Sequence, residues 1–276
     1  MRLPTRAPLA SALLLPLALF SGGCEMMIAG PRAQASDKWE KTYEVAANAT
    51  LEIQNTNGSI TVRTHTQPTI IVVAQRTARA VSEQGAREIL SRTSLEASAS
   101  TTLVRLATPR SQGFSRGQQL EVRYEISVPA TLAVTLTTVN GKVELEGVTG
   151  AVALETVNGG IEARGLTSLR RAETVNGSIR LQLGSLPAQG AQIETVNGSV
   201  AVDLPAAVPA TVSVRTVNGG ITVDGFTRVA DAERKRRQYD GKLNGGGPML
   251  RVETVNGRVS VNAGPAADEA TGATSP

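Results

Sequence analysis

Glu155, Glu173 and Glu194 stand at one place in three copies of one motif, each directly before Thr-Val-Asn-Gly. Carboxylates repeated at fixed spacing are a pattern that can do chemistry. Two of them flanking a glycosidic bond supply an acid and a base or nucleophile, and a row of them can gather a divalent cation. The full column before the Thr reads Thr137, Glu155, Glu173, Glu194, Arg215 and Glu253. Alternation along a strand would turn Leu154 and Thr156 inward and the Glu row outward to solvent. No aromatic residue stands near the row to hold a sugar. The expectation is therefore a solvated charged face, with no catalytic residue, no metal site and no cofactor.

Other reactive residues are scarce. The only His is His65 and the only Cys is Cys24. That excludes His-based triads, Cys-rich metal sites and an internal disulfide framework. The run "NGGGP" at 244–248 precedes a strand-like segment, not a helix, so it is no phosphate loop. A basic cluster gathers Arg228, Arg234, Lys235, Arg236, Arg237 and Lys242, offset by Asp231, Glu233 and Asp240. Within it, Arg234, Lys235, Arg236, Arg237 and Tyr239 are the candidate contact residues, for an anionic glycan or another envelope protein. Tyr239 is the one ring there that could stack on a base, and the net charge is only +4, so nucleic acid is not an expected partner.

The elements that position these residues follow from the repeat. Thr-Val-Asn-Gly occurs six times, with Asn140, Asn158, Asn176, Asn197, Asn218 and Asn256, followed by Gly141, Gly159, Gly177, Gly198, Gly219 and Gly257. A looser copy, "QNTNGSI", puts Asn57 in the same role. Successive Asn residues from 140 to 218 are 18, 18, 21 and 21 apart, and the last step is 38. A period near 20 residues marks a solenoid or a hairpin array. Around each motif, apolar residues alternate: Val152, Leu154 and Thr156 before, Ile161 and Ala163 after. Asn and Gly tolerate positive φ cheaply, so the motif reads as a corner. A type I′ hairpin would pair Glu155 with Glu162. A solenoid would stack each Asn on the next, about 4.8 Å apart, and so explain why the residues stay identical. Repeat identity favours the solenoid.

The expected fold is all-β: a single-chain β-solenoid with Thr-Val-Asn-Gly corners over 130–264, preceded by a β-rich part over 39–129. In that part "TLEIQN", "SITVRT", "TIIVVAQR", "TTLVRLA" and "QLEVRYEISV" read as strands and 82–92 as the one helix, with a loop at 108–119. The polar, Gly-rich stretch 227–247 reads as an insertion loop on the surface, and the tail 265–276 as disordered. Residues 1–23 read as a signal peptide, with Arg2 and Arg6 before a short apolar run ending at Phe20. "SGGC" then resembles the lipobox of bacterial lipoproteins, although Ser21 stands where that motif usually has Leu. The resemblance implies lipidation of Cys24, a tether over 24–38, and a membrane partner through the lipid anchor. Glu25 after the Cys leans toward the outer membrane.

The repeats in "VPATLAVTLTTVNGKVELEGVTGAVALETVNGGIEARG" and "GKLNGGGPMLRVETVNGRVSV" resemble the bacterial putative-adhesin family of β-strand-repeat proteins, over about Thr42 to Val261. The resemblance implies a β-solenoid with a β-rich entry. The expected function is a non-enzymatic, exported lipoprotein of the outer membrane, facing the periplasm or the cell surface, that presents a solenoid surface for adhesion or protein or glycan contact. The alternatives are a periplasmic scaffold or sensor module in an envelope-stress response, and a polysaccharide-active enzyme using the Glu row.

Overall fold

The computed structural model describes residues 33–108, 114 and 117–264. The signal peptide, Cys24 and the tail lie outside the described residues. The described chain opens with strands β1 (Ala33–Glu44), β2 (Thr50–Gln54), β3 (Ile60–His65) and β4 (Thr69–Ala80), then helix α1 (Glu83–Arg92). β5 (Glu96–Ala99), β6 (Leu103–Ala107) and β7 (Gln119–Pro129) follow. The repeats supply β8 (Ala133–Asn140), β9 (Val143–Glu146), β10 (Val152–Asn158), β11 (Ile161–Leu166), β12 (Leu169–Asn176), β13 (Ile179–Leu183), β14 (Ala191–Asn197) and β15 (Val200–Pro205). The last strands are β16 (Ala210–Asn218), β17 (Ile221–Asp224), β18 (Val229–Lys235), β19 (Gln238–Leu243), β20 (Met249–Asn256) and β21 (Val259–Gly264).

The protein is almost entirely β, and its repeats wind as a two-sheet solenoid. Each coil crosses one sheet before the Thr-Val-Asn-Gly corner and the other after it. The first sheet runs β18-β19-β16-β20-β14-β12-β10-β8-β2-β6-β5, and the second β1-β4-β7-β3-β9-β11-β13-β15-β21-β17. Consecutive coils pair in parallel with identical residues in register, Glu155 on Glu173, Thr156 on Thr174 and Asn158 on Asn176. The inward residues Val152, Leu154, Ile161, Ala163 and Leu166 of one coil are all buried against the same positions of its neighbours. Burial of one such Leu or Ile side chain contributes about 1.5–3 kcal/mol. Stacking therefore supplies the core that no single coil has.

Four features differ from the sequence reading. The segment read as a tether is in part a strand: Ala33 to Lys38 belong to β1, which pairs antiparallel with β4 from Ala33↔Ala80 to Glu44↔Thr69. Arg76 fixes this edge by donating to Asp37 (Nε to Oδ1, 2.7 Å) and to the carbonyls of Leu90 and Thr93 at the helix end. The N-terminal part is not a separate entry, because β2 and β3 form a coil of the same stack, with β6 and β7 beyond them. The stretch 227–247 contains a hairpin, β18 and β19, laid antiparallel on β16. Finally, coil order departs from chain order: β20 and β21 insert between the coils of Asn197 and Asn218. The hairpin accounts for this. It occupies the free edge of β16, so the returning chain can pair only on the other side. Every residue of β18 is exposed, and its charges Glu233, Arg234 and Lys235 blunt the sheet end.

A buried polar cluster joins the N-terminal coils. Asn55 Nδ2 donates to the carbonyls of Gly58 (3.0 Å) and Val122 (2.8 Å), while its Oδ1 accepts from Thr56 N (2.9 Å) and Thr108 Oγ1 (2.8 Å). Thr108 Oγ1 also meets the Tyr124 hydroxyl at 3.0 Å. Burial pushes the Tyr124 phenol up to about 12, against smaller lowering by Thr108 and Arg76. A folded pKa above the unfolded value means stability that is fully present below about pH 10 and is lost as pH rises toward about 12, worth roughly 2–3 kcal/mol. The expected result is phenolate absorbance at Tyr124 that appears only with alkaline unfolding. Titration of all three tyrosines together in the folded protein would contradict it.

Candidate contact groove at the repeat corner

Each residue of the Thr-Val-Asn-Gly corner has its own physical role. The Thr is buried, and its hydroxyl donates to the Gly carbonyl of the adjacent coil: Thr156 to Gly141 (3.1 Å), Thr174 to Gly159 (2.9 Å), Thr195 to Gly177 (3.0 Å) and Thr254 to Gly198 (3.1 Å). The Asn side chains form one continuous hydrogen-bonded ladder. Nδ2 of Asn140 donates to Asn57 Oδ1 (2.7 Å), Asn158 to Asn140 (2.8 Å), Asn176 to Asn158 (2.9 Å), Asn197 to Asn176 (2.9 Å), Asn256 to Asn197 (2.8 Å) and Asn218 to Asn256 (2.9 Å). The ladder thus reads the rearranged coil order directly.

The Gly has a different reason from the one expected. None of Gly141, Gly159, Gly177, Gly198, Gly219 and Gly257, and none of the Asn residues before them, adopts positive φ. The constraint is proximity. A Cβ on Gly159 would lie 2.0 Å from the Gly141 carbonyl oxygen, and one on Gly177 1.9 Å from that of Gly159. Positive φ is used at the opposite corner instead, at Gly147 and Gly165.

The Val of each motif faces outward. Val139, Val157, Val175, Val196, Val255 and Val217 are 38–51% exposed and stack as an apolar stripe along the solenoid axis. Beside it runs the carboxylate row in the register Thr137, Glu155, Glu173, Glu194, Glu253, Arg215. Arg171 bridges Glu155 (2.9 Å) and Glu173 (3.3 Å). Glu253 meets Arg251 (3.7 Å) and Arg215 (3.8 Å), and Glu194 accepts from Gln192 Nε2 (2.6 Å). The row is thus a ladder of ion pairs and hydrogen bonds, which offsets the cost of stacking like charges.

Stripe and row together line a groove of about 900 Å³, closed at one end by the hairpin tip of Lys235, Arg236, Arg237 and Gln238. Lys235 is engaged by Glu233 (2.6 Å), whose carboxylate holds the ammonium above its ordinary range. Arg236 and Arg237 have no ion-pair partner among the described residues. Arg234 instead lies over the Tyr239 ring, 5.9 Å from its centroid. Tyr239, expected at the contact surface, is 3% exposed and packs in the core opposite Val214, so it is unavailable to a partner. The sequence-predicted basic residues Lys235, Arg236 and Arg237 and the Glu row therefore meet at one groove. The Val stripe does not stand out in the sequence, because outward Val reads as ordinary strand composition. The available signal was its invariance at a position where alternation demands exposure.

Two solved structures give a measure of likeness. A candidate cell adhesion protein from Clostridium sporogenes has 9% identity, a TM-score of 0.40, and coverage of 83% of this chain and 100% of its own. A candidate adhesin from Bacteroides fragilis has 10% identity, a TM-score of 0.40, and coverage of 82% and 97%. No curated protein matches the chain. The stacked corners, which run through nearly the whole described chain, coincide with a family match over residues 41–262: the chain belongs to the family described as Toastrack DUF4097.

Proposed function

We propose that this protein is a non-enzymatic contact protein of the cell envelope, exported and held there through Cys24, and that it binds an extended polypeptide segment in the groove. The observation that carries the reading is the exposed Val stripe, flanked by carboxylates and ended by the guanidinium groups of Arg236 and Arg237, which have no ion-pair partner among the described residues. An apolar floor with a polarised rim suits a chain that alternates apolar and basic side chains and carries an acidic end at Arg236 and Arg237. A purely anionic glycan would face Glu155, Glu173, Glu194 and Glu253 along most of the groove and gain nothing from the stripe. The five Val residues that line the groove span about 19 Å, enough for roughly six extended residues. Adhesion and scaffolding are both uses of such a surface.

A photo-reactive residue at Val196 in the full chain is expected to form polypeptide adducts in producing cells. Adducts should disappear with Val175→Glu. The same residue at Arg180, exposed on the other sheet, should form none. Adducts that survive protease and fall to glycan-degrading treatment would replace the polypeptide by a glycan. Absence of any Val196 adduct would overturn the groove as the contact site.

A further inference from the structure

The ladder has a direction, and its two ends differ chemically. Along the corner, each Gly N–H donates to the Asn carbonyl of the next coil: Gly58 to Asn140 (2.8 Å), Gly141 to Asn158 (3.1 Å), Gly159 to Asn176 (3.1 Å), Gly177 to Asn197 (3.0 Å), Gly198 to Asn256 (3.0 Å) and Gly257 to Asn218 (3.0 Å). The last rung, Asn218-Gly219, has no coil above it. Gly219 N–H has no partner among the described residues, and Asn218 Oδ1 accepts no hydrogen bond there. The hairpin does not cover this corner, because its final backbone contact is Thr216 N to Arg237 O (3.1 Å). Gly219 and Gly220 are exposed, whereas Gly159, Gly160 and Gly177 are only partly so.

Asn-Gly is the dipeptide in which the following backbone nitrogen most readily attacks the side-chain amide, since Gly has no Cβ to hinder approach. In an interior rung that attack must break the Gly N–H bond to the next coil and pull the Asn amide from both neighbours. At the last rung the nitrogen is already free and one side-chain bond remains. We propose that Asn218 is a self-modification site of this protein. Gly219 N bonds to Asn218 Cγ, the Cγ–Nδ2 bond breaks, and ammonia leaves carrying the proton lost by the Gly219 amide. Water then opens the cyclic imide to aspartate or isoaspartate. The net change is one water consumed and one ammonia released. The product places a carboxylate at the end of the ladder, two residues from the hairpin's last contact, and the isoaspartate form adds a methylene to the backbone between β16 and β17. The stack would thereby age from this end only.

Asn244-Gly245 is the internal comparison. It lies outside the ladder, at φ +50, with its side chain held by bonds to Ala206 O (2.9 Å), Val208 O (2.9 Å) and Arg228 N (3.1 Å). The test is incubation of the full chain at mildly alkaline pH followed by peptide mapping that separates aspartate from isoaspartate. Modification at Asn218 is expected to run at least about tenfold faster than at Asn158, Asn176 or Asn197, the factor set by one lost hydrogen bond or more. In denaturant the ladder positions should react at similar rates, and Asn218→Ser should remove the fast phase. Equal native rates at Asn218 and the interior rungs, or a faster reaction at Asn244, would overturn the proposal.

Discussion

Gly177→Ala is expected to destabilise the fold by about 4 kcal/mol or more, an exceptional loss for one methyl group. The added Cβ would lie 1.9 Å from the carbonyl oxygen of Gly159 and 2.5 Å from its carbon. Neither atom can yield, because the Gly159 carbonyl accepts from Thr174 and the strands on both sides are locked in register. Relief requires the coils to part, which also stretches the Asn ladder. Gly220→Ala is the control: its Cβ would meet nothing within 4 Å, so its effect should be near zero. Denaturant midpoints of the two variants check this. A small loss at Gly177 would mean that adjacent coils can part at the corner at little cost, and would contradict the close approach as the reason for glycine there.

The second large effect is expected at Asn55→Asp, nearly equal in size and opposite in hydrogen-bonding demand. Nδ2 of Asn55 supplies two protons to the carbonyls of Gly58 and Val122. A carboxylate there faces two carbonyl oxygens in a buried site, with no cation among its hydrogen-bond partners. Loss of stability at neutral pH should reach about 4 kcal/mol or more. Burial without a cation raises the folded pKa of the new Asp above its unfolded value. The variant should therefore recover stability as pH falls through that raised pKa, because its protonated form is the one the site tolerates. Asn55→Ser removes the same donors without adding charge, and its deficit should not depend on pH in that range. Equal pH profiles for the two variants would contradict the account.

The sequence carried the solenoid because stacking demands identity that a turn does not. The ladder and the carboxylate row both follow once coils stack in register. What it concealed has identifiable causes. Ala33 to Lys38 carry no large apolar residue, so β1 has no alternation to read; Arg76 and the pairing with β4 supply its order. The strand β18 is exposed on every residue, and its charges look like a loop. The coils of Asn218 and Asn256 share one motif, so nothing local distinguishes chain order from stack order. Asn55 sits two residues from the visible Asn57, and its four partners come from segments as distant as Thr108 and Val122. The groove was half-legible: Glu row and basic cluster stood out separately, but only the hairpin brings them together.

The arrangement of the last coils is the claim on which groove, hairpin and terminal rung all depend. It can be tested by oxidising two double-cysteine variants and mapping the cross-links. Val196→Cys with Val255→Cys puts the pair on adjacent rungs, about 4.8 Å apart and within disulfide reach. Val196→Cys with Val217→Cys puts it two rungs apart, about 9.6 Å and out of reach. Rapid bridging of the first pair and none of the second is the expected result. Bridging of 196 to 217 without 196 to 255 would mean that the coils stack in chain order, and would contradict it.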